Sequence, residues 1–257
     1  MSNQPADQGQ VTTTLDNGIA RVEFFHPAHN SLPSRLLHDL TAAIEAAGAD
    51  PAVIAIVLSS RGDRTFCAGA SFDELSSIGD FERAKVFFSG FGRVINAMRR
   101  CPKFIIGRIH GKAIGGGVGL ASATDYCMAT QFATIRLSEL AVGFGPFVIG
   151  PAVERKVGST AFSQLAMAPE EWQTAHWAKQ KGLFTEVFDT TEQLDAYIAH
   201  FCEKLRKYNP EAMRELKSVF WQGTENWETL LDDRAAISGR LALSDFSKNA
   251  IAAFKSK

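Results

Sequence analysis

Four glycines packed into five positions, Gly115, Gly116, Gly117 and Gly119 in "KAIGGGVGLASATDY", constrain this chain more than any other stretch. The segment follows an apolar run, "FIIGRIH", that reads as a strand, and the residues after the glycines read as a helix. A strand passing into a helix through nearly bare backbone serves one of three ends: a bound phosphate, a close helix contact, or N–H groups brought against a reacting atom.

The phosphate reading fits poorly. Gly117 and Gly119, with Glu139 twenty residues beyond Gly119, imitate a dinucleotide-binding turn, but the third glycine is missing because position 122 is Ser122. Several elements also precede the site, and no GxxxxGK[ST] sequence is present. Lys and Arg total 27 against 28 Asp and Glu, so no excess positive charge favours a nucleic-acid backbone. Cys67, Cys101, Cys127 and Cys202 are far apart and form neither a CxxC pair nor a Cys/His ligand set, which leads to the expectation of a reducing, cytoplasmic setting without metal. His26 and His29 in "HPAHN" are near neighbours in a loop, too few to expect a metal site. The opening "MSNQPADQGQ" lacks an apolar signal core, and no run reaches the roughly twenty apolar residues of a membrane span; neither export nor membrane insertion is expected.

Alternation of strands and helices dominates the first three quarters. Two β-type runs flank the turn signal Asp16-Asn17-Gly18, predicting a hairpin. Ser34 is a plausible N-cap for a helix carrying Leu36, Leu37, Leu40 and Ile44 and stopping near Gly48. "AVIAIVLSS" reads as a strand buried on both faces. A helix from about Phe81 to Met98, the strand "FIIGRI", the glycine segment, and strands at "YCMAT" and "LFTEVF" follow. After Thr190 helix succeeds helix, so the expected division is an α/β core over 1–190 and a helical region over 191–257.

A second loop, "VLSSRGDRTFCAGASFDEL", follows the buried strand directly. Together "FCAGASFDEL", "GKAIGGGVGLASATDY" and "LSELAVGFGP", in that order, resemble the signature segments of the enoyl-CoA hydratase/isomerase (crotonase) superfamily, and the resemblance covers most of the chain. It implies a crotonase-like α/β spiral core of (ββα) units with a helical C-terminal trimerisation region, an acyl-CoA thioester as substrate, and a homotrimer or homohexamer. It also implies an oxyanion hole made by the backbone N–H groups of Ala70 and Gly116, one from each loop, which stabilises an enolate-like anion. Ala68, Gly69, Ser71 and Phe72 on one loop, and Gly115, Gly117 and Gly119 on the other, are the companion substrate- and CoA-binding candidates. Phe254 and Lys257 match the positions at which the last helix of such proteins approaches CoA in a neighbouring subunit; a solvent-facing terminal helix is the plainer alternative. Beyond coenzyme A, which belongs to the substrate, no cofactor is expected.

Hydratases of this superfamily generally carry two glutamates, and here the first of those places holds Gly119. The second holds Glu139, among Leu137, Leu140, Val142 and Phe144, surroundings able to desolvate a carboxylate and raise its pKa. The reading is an enoyl-CoA hydratase with Glu139 as a lone acid/base. The alternatives are a Δ3-Δ2 enoyl-CoA isomerase, a CoA-thioester hydrolase, and a non-catalytic acyl-CoA binder. Expected pocket walls are Phe72, Leu75, Phe87, Phe88, Val142, Phe144 and Phe147.

Overall fold

The computed structural model describes residues 9–255, with side chains as far as residue 253. Strands β1 (Gln10–Asp16) and β2 (Ile19–Phe25) pair antiparallel about Asn17 and Gly18, both at positive φ (50° and 80°), as the Asn-Gly signal predicts. Strand β3 (Ser31–Leu32) and helix α1 (Ser34–Ala49) follow. The cap differs from expectation by one residue. Pro33 is the N-cap, and Ser34, the first helical residue, has its free N–H (2.7 Å) and its hydroxyl bound by the Glu74 carboxylate forty residues away.

From Ala55 onward the chain repeats one plan: a long strand, a short strand, a helix. The first unit is β4 (Ala55–Ser60), β5 (Thr65–Cys67), β6 (Gly69–Ala70), then α2 (Phe72–Ser77) and α3 (Phe81–Arg100). The second is β7 (Phe104–Ile109), β8 (Lys112–Ile114) and α4 (Gly116–Ser122). The third is β9 (Tyr126–Thr130), β10 (Ile135–Arg136), a 3-10 turn over Glu139–Val142 and α5 (Gly150–Met167), which breaks at Gly158 (φ 76°). Helix α6 (Ala175–Gln180) and strand β11 (Glu186–Phe188) complete the main sheet.

The long strands form a six-stranded sheet in the order β1-β2-β4-β7-β9-β11, parallel apart from the opening hairpin. The short strands form a parallel sheet in the order β10-β8-β5, with β3 and β6 paired alongside. Because β4, β7 and β9 are neighbours in one sheet while β5, β8 and β10 are neighbours in the other, the chain winds as a spiral. The loops that leave β5, β8 and β10 therefore emerge side by side.

Alternating residues of β4 explain the two-sided burial: Ile56 and Leu58 enter the larger core with α1 and α3, whereas Ala55 and Val57 face a smaller core. That second core is roofed by α7 (Thr191–Leu205) and α8 (Pro210–Phe220) through Leu194, Ile198 and Met213. Helix α9 (Trp227–Ala242) lies along α3, where a Cβ on Gly92 would come 3.2 Å from Leu231 and one on Gly239 would come 2.8 Å from the Lys85 nitrogen. Helix α10 (Asp245–Lys255) ends the described chain and contains Phe254; Lys257 lies outside the described residues. Among the described residues no helix is long and apolar enough to cross a membrane.

One buried ion pair fastens α8 to the sheet. Lys217, 2% exposed, donates to Asp125 (2.6 Å) and to the Met98 carbonyl (3.0 Å), while Asp125 also accepts from the Trp221 indole (2.8 Å) and from the Ile105 N–H (2.7 Å). Removing one partner strands the other charge without solvent. Lys217→Met is expected to lower unfolding free energy by about 3–5 kcal/mol in urea titrations; a loss below about 1 kcal/mol would show that the pair is not a fastening. His110, buried with neither ring nitrogen hydrogen-bonded, is pushed down to about 4 by burial. An unfolded His110 takes its proton near pH 6.5, so this contribution is whole above that pH and falls by about 3 kcal/mol on acidification to pH 4. Stability measured over that window in His110→Gln should show a correspondingly flatter slope.

Candidate active site

The three neighbouring loop ends meet at one cavity. It is lined by Ala68, Gly69 and Ala70 from the first unit, by Gly115 and Gly116 from the second, and by Ser138 and Glu139 from the third. Backbone bonds fix these ends. Ala68 N–H donates to His29 O (3.2 Å), Ser71 N–H to Leu32 O (3.3 Å), and Gly115 N–H to Arg136 O (2.9 Å). Since Ser71 donates toward β3, the alternation of the strand turns the Ala70 N–H away from β3. Gly116 is the first residue of α4, so its N–H has no acceptor within the helix.

Steric contacts show why the glycines are glycines, and each has its own reason. Gly69 (φ 84°) lets the loops touch: a Cβ there would stand 2.8 Å from Ile114 O and 3.2 Å from Gly116 N. Gly115 (φ 50°, ψ −117°) occupies backbone space closed to other residues, and a Cβ would lie 2.8 Å from Glu139 Oε1. Gly116 faces the Phe91 ring. Gly117 and Gly119, expected at the substrate, do not line the cavity; a Cβ would meet Cys67 O and Ile149 Cγ2 respectively, each at 2.5 Å. These two serve helix packing, because α4 must lie directly on β5 and on the start of α5.

Ser71 is likewise outside the cavity lining. It caps α2, its hydroxyl accepting from Glu74 N–H (3.4 Å). Phe72, Phe88, Val142, Phe144 and Phe147 do line the cavity, whereas Leu75 and Phe87 are absorbed into the core behind it. Phe91, Ile149 and Ser238 line it without having been anticipated. Phe91 lies one helical turn beyond Phe87, the same spacing that marks a core stripe, so the sequence held no signal to separate them. Asn30 was also missed: at φ 57° its amide joins the His26 N–H (2.9 Å) to the Arg61 and Thr65 carbonyls (2.7 and 2.9 Å), bracing the first loop.

Glu139 opens the 3-10 turn that Gly143 (φ 90°) closes, with Phe144 N–H donating back to Glu139 O (3.3 Å). Helix α10 packs over this turn: a Cβ on Gly143 would strike Ser247 and Phe246. The residue is only half-buried, but its Oε2 is out of reach of solvent and has no hydrogen-bond partner. Burial pushes the carboxyl up to about 7, against weaker opposing pulls from its own backbone N–H and from Arg136. The Arg136 guanidinium itself lies over the Trp172 ring at 4.5 Å. Among the described residues Glu139 is the single titratable side chain lining the cavity, and no group of three His, Cys, Asp or Glu is arranged to hold a metal ion.

Residues 14–257 match the family described as enoyl-CoA hydratase/isomerase. The chain is 28% identical to a peroxisomal Delta(3,5)-Delta(2,4)-dienoyl-CoA isomerase of Arabidopsis thaliana, over 95% of this chain and 92% of that one. It is also 28% identical to a 2,3-dehydroadipyl-CoA hydratase of Escherichia coli, over 77% and 76%. Among solved structures, an enoyl-CoA hydratase from Mycobacterium avium superposes with a TM-score of 0.83 at 26% identity, covering 96% of each chain.

The Gly115–Glu139 contact can be tested directly. Gly115→Ala places a methyl group against the carboxyl and strains the backbone by about 1–3 kcal/mol. Any turnover that uses Glu139 is expected to fall about 100-fold, the order of cost that a misplacement of about 1 Å can carry. A crystal structure of the variant showing an unmoved Glu139 would refute the account.

Proposed function

The chain belongs to the enoyl-CoA hydratase/isomerase family, and on that premise we propose that it moves the double bond of an enoyl-CoA thioester, with Glu139 carrying the proton. One observation carries this reading above hydration: among the described residues the cavity lining holds a single carboxylate, and at position 119, where the resemblance would put a second, a Cβ would already stand 2.5 Å from Ile149 Cγ2. A proton shuttle needs one base; addition of water is helped by a second group that holds the nucleophile.

Two proton transfers make up the proposed reaction. The thioester oxygen accepts from the Ala70 and Gly116 N–H groups, and the N-terminal end of α4 adds favourable partial charge. Glu139, ionised, removes a proton from C2 of a 3-enoyl thioester, and the electron pair delocalises onto the thioester oxygen as a dienolate. The protonated Glu139 returns the same proton to C4, so the 2-enoyl product has the mass of the substrate. A carboxyl near 7 takes and gives up a proton with comparable ease at neutral pH. Aromatic and aliphatic walls keep bulk water from quenching the dienolate.

Hydration is the second reading, favoured by the name of the E. coli relative. It asks the same carboxylate to deprotonate water over C3 and to return that proton to C2 on one face.

Product analysis by mass spectrometry on 2-enoyl- and 3-enoyl-CoA separates the two. A shifted double bond at unchanged mass is expected, and a product heavier by one water would transfer the assignment to hydration. Glu139→Gln should lose about 100-fold to 10,000-fold in kcat/KM while still binding acyl-CoA; retained turnover would remove Glu139 from the mechanism. Because the ionised carboxylate is the active form, kcat/KM should fall about tenfold per pH unit below about 7 and level off above it.

A further inference from the structure

Resting on the assignment of this cavity to a CoA thioester, we infer that the acyl group it takes is short, about four carbons long, and uncharged, and that Phe144 with Phe88 sets that length. The cavity measures about 50 Å³. An apolar cavity of about 150 Å³ takes a benzene ring, so the space here suits two or three carbons beyond the thioester carbonyl.

One wall of it is braced. Phe88 and Phe144 meet edge to face, with ring centroids 5.2 Å apart at 71°, and both are almost wholly buried. Phe88 is backed by Phe87 (5.4 Å, 84°) on a helix that lies against α9. Phe144 is held by its N–H bond to the Glu139 carbonyl, so the length-setting ring and the proton-carrying group share one turn. A longer chain has to displace rings already packed at contact distance.

Charge is excluded for a separate reason. Among the described residues Glu139 is the single ionisable side chain in the lining, so a second carboxylate on the acyl group would be buried among phenyl rings beside a like charge whenever Glu139 is ionised. Neither Arg136, whose charge acts on Glu139, nor Arg234, whose Nη1 lies 3.4 Å from the Phe147 carbonyl, lines the cavity.

Calorimetric titration of the full chain with butyryl-, octanoyl- and glutaryl-CoA tests both parts without requiring turnover. Butyryl-CoA is expected to bind about tenfold or more tighter than octanoyl-CoA, and about 100-fold tighter than glutaryl-CoA. In Phe144→Ala the first ratio should invert, with Phe144→Leu between the two; circular dichroism establishes that each variant is folded. An open-ended channel would instead give about fourfold tighter binding for each added methylene, and that series, or equal binding of glutaryl-CoA, would overturn the inference. If none of the three binds more tightly than coenzyme A alone, both the inference and the assignment of the cavity to an acyl thioester fall. A butyryl preference that persists while Glu139→Gln still turns over would leave the inference standing and sink the proton-carrier reading alone.

Discussion

Parallel pairing of three very short strands is the constraint on which the site depends. Ala113 pairs with both Cys67 and Ile135, so the residues following β5, β8 and β10 emerge at the same level. Each strand has only two or three residues, too little ladder to hold register alone, and the long strands β4, β7 and β9 supply the order that the short ones copy. A slip by one residue would turn Ala113 out of the core and swing Gly115 away from Glu139. The irregular step between Thr65 and Cys67 falls just before the first loop, where a local bend directs Ala68–Ala70 toward the cavity.

Contact at atomic closeness then does what register alone cannot. The carboxyl of Glu139 rests on the Cα of Gly115, and the Cα of Gly69 stands against the second loop, so three segments distant in sequence touch through the absence of side chains. The cost is local: a backbone at φ 50°, ψ −117° and a carboxyl oxygen buried with nothing to bind. Stability lost here is offset by the packed spiral and by fastenings such as Lys217 on Asp125, remote from the cavity.

Much of the fold was legible because its signals are local. The Asn-Gly hairpin, the doubly buried run at β4 and the strand-glycine-helix order each follow from backbone preference or hydrophobic period. The helix cap at Ser34 was misjudged by one residue because its partner, Glu74, lies on another element. The same limit governs the site. Glu139, Ala70 and Gly116 were reachable through motif resemblance, but which glycine faces the cavity and which faces a neighbour was not. Gly117 and Gly119 read like Gly115 and Gly116 in sequence; only Cys67 and Ile149 across the helix distinguish them. Phe87 and Phe88 differ for the same reason, one pointing into the core and the other into the cavity.

Among the described residues, the lone carboxyl of the lining and its apolar walls make one consistent site. A second carboxylate beside Glu139 would raise the cost of ionising either and would bring water with it, favouring a wet cavity. Glu139 instead stands against apolar walls, and its raised pKa follows from desolvation, against a weaker opposing pull from Arg136. A proton carrier of the kind proposed depends on a dry site, since hydration would return its pKa toward that of an ordinary glutamate and make it a weaker base. On the proposed reading, the small volume beside Phe88 and Phe144 serves the chemistry as well as the fit, because an acyl group that fills it would exclude the water that competes for Glu139.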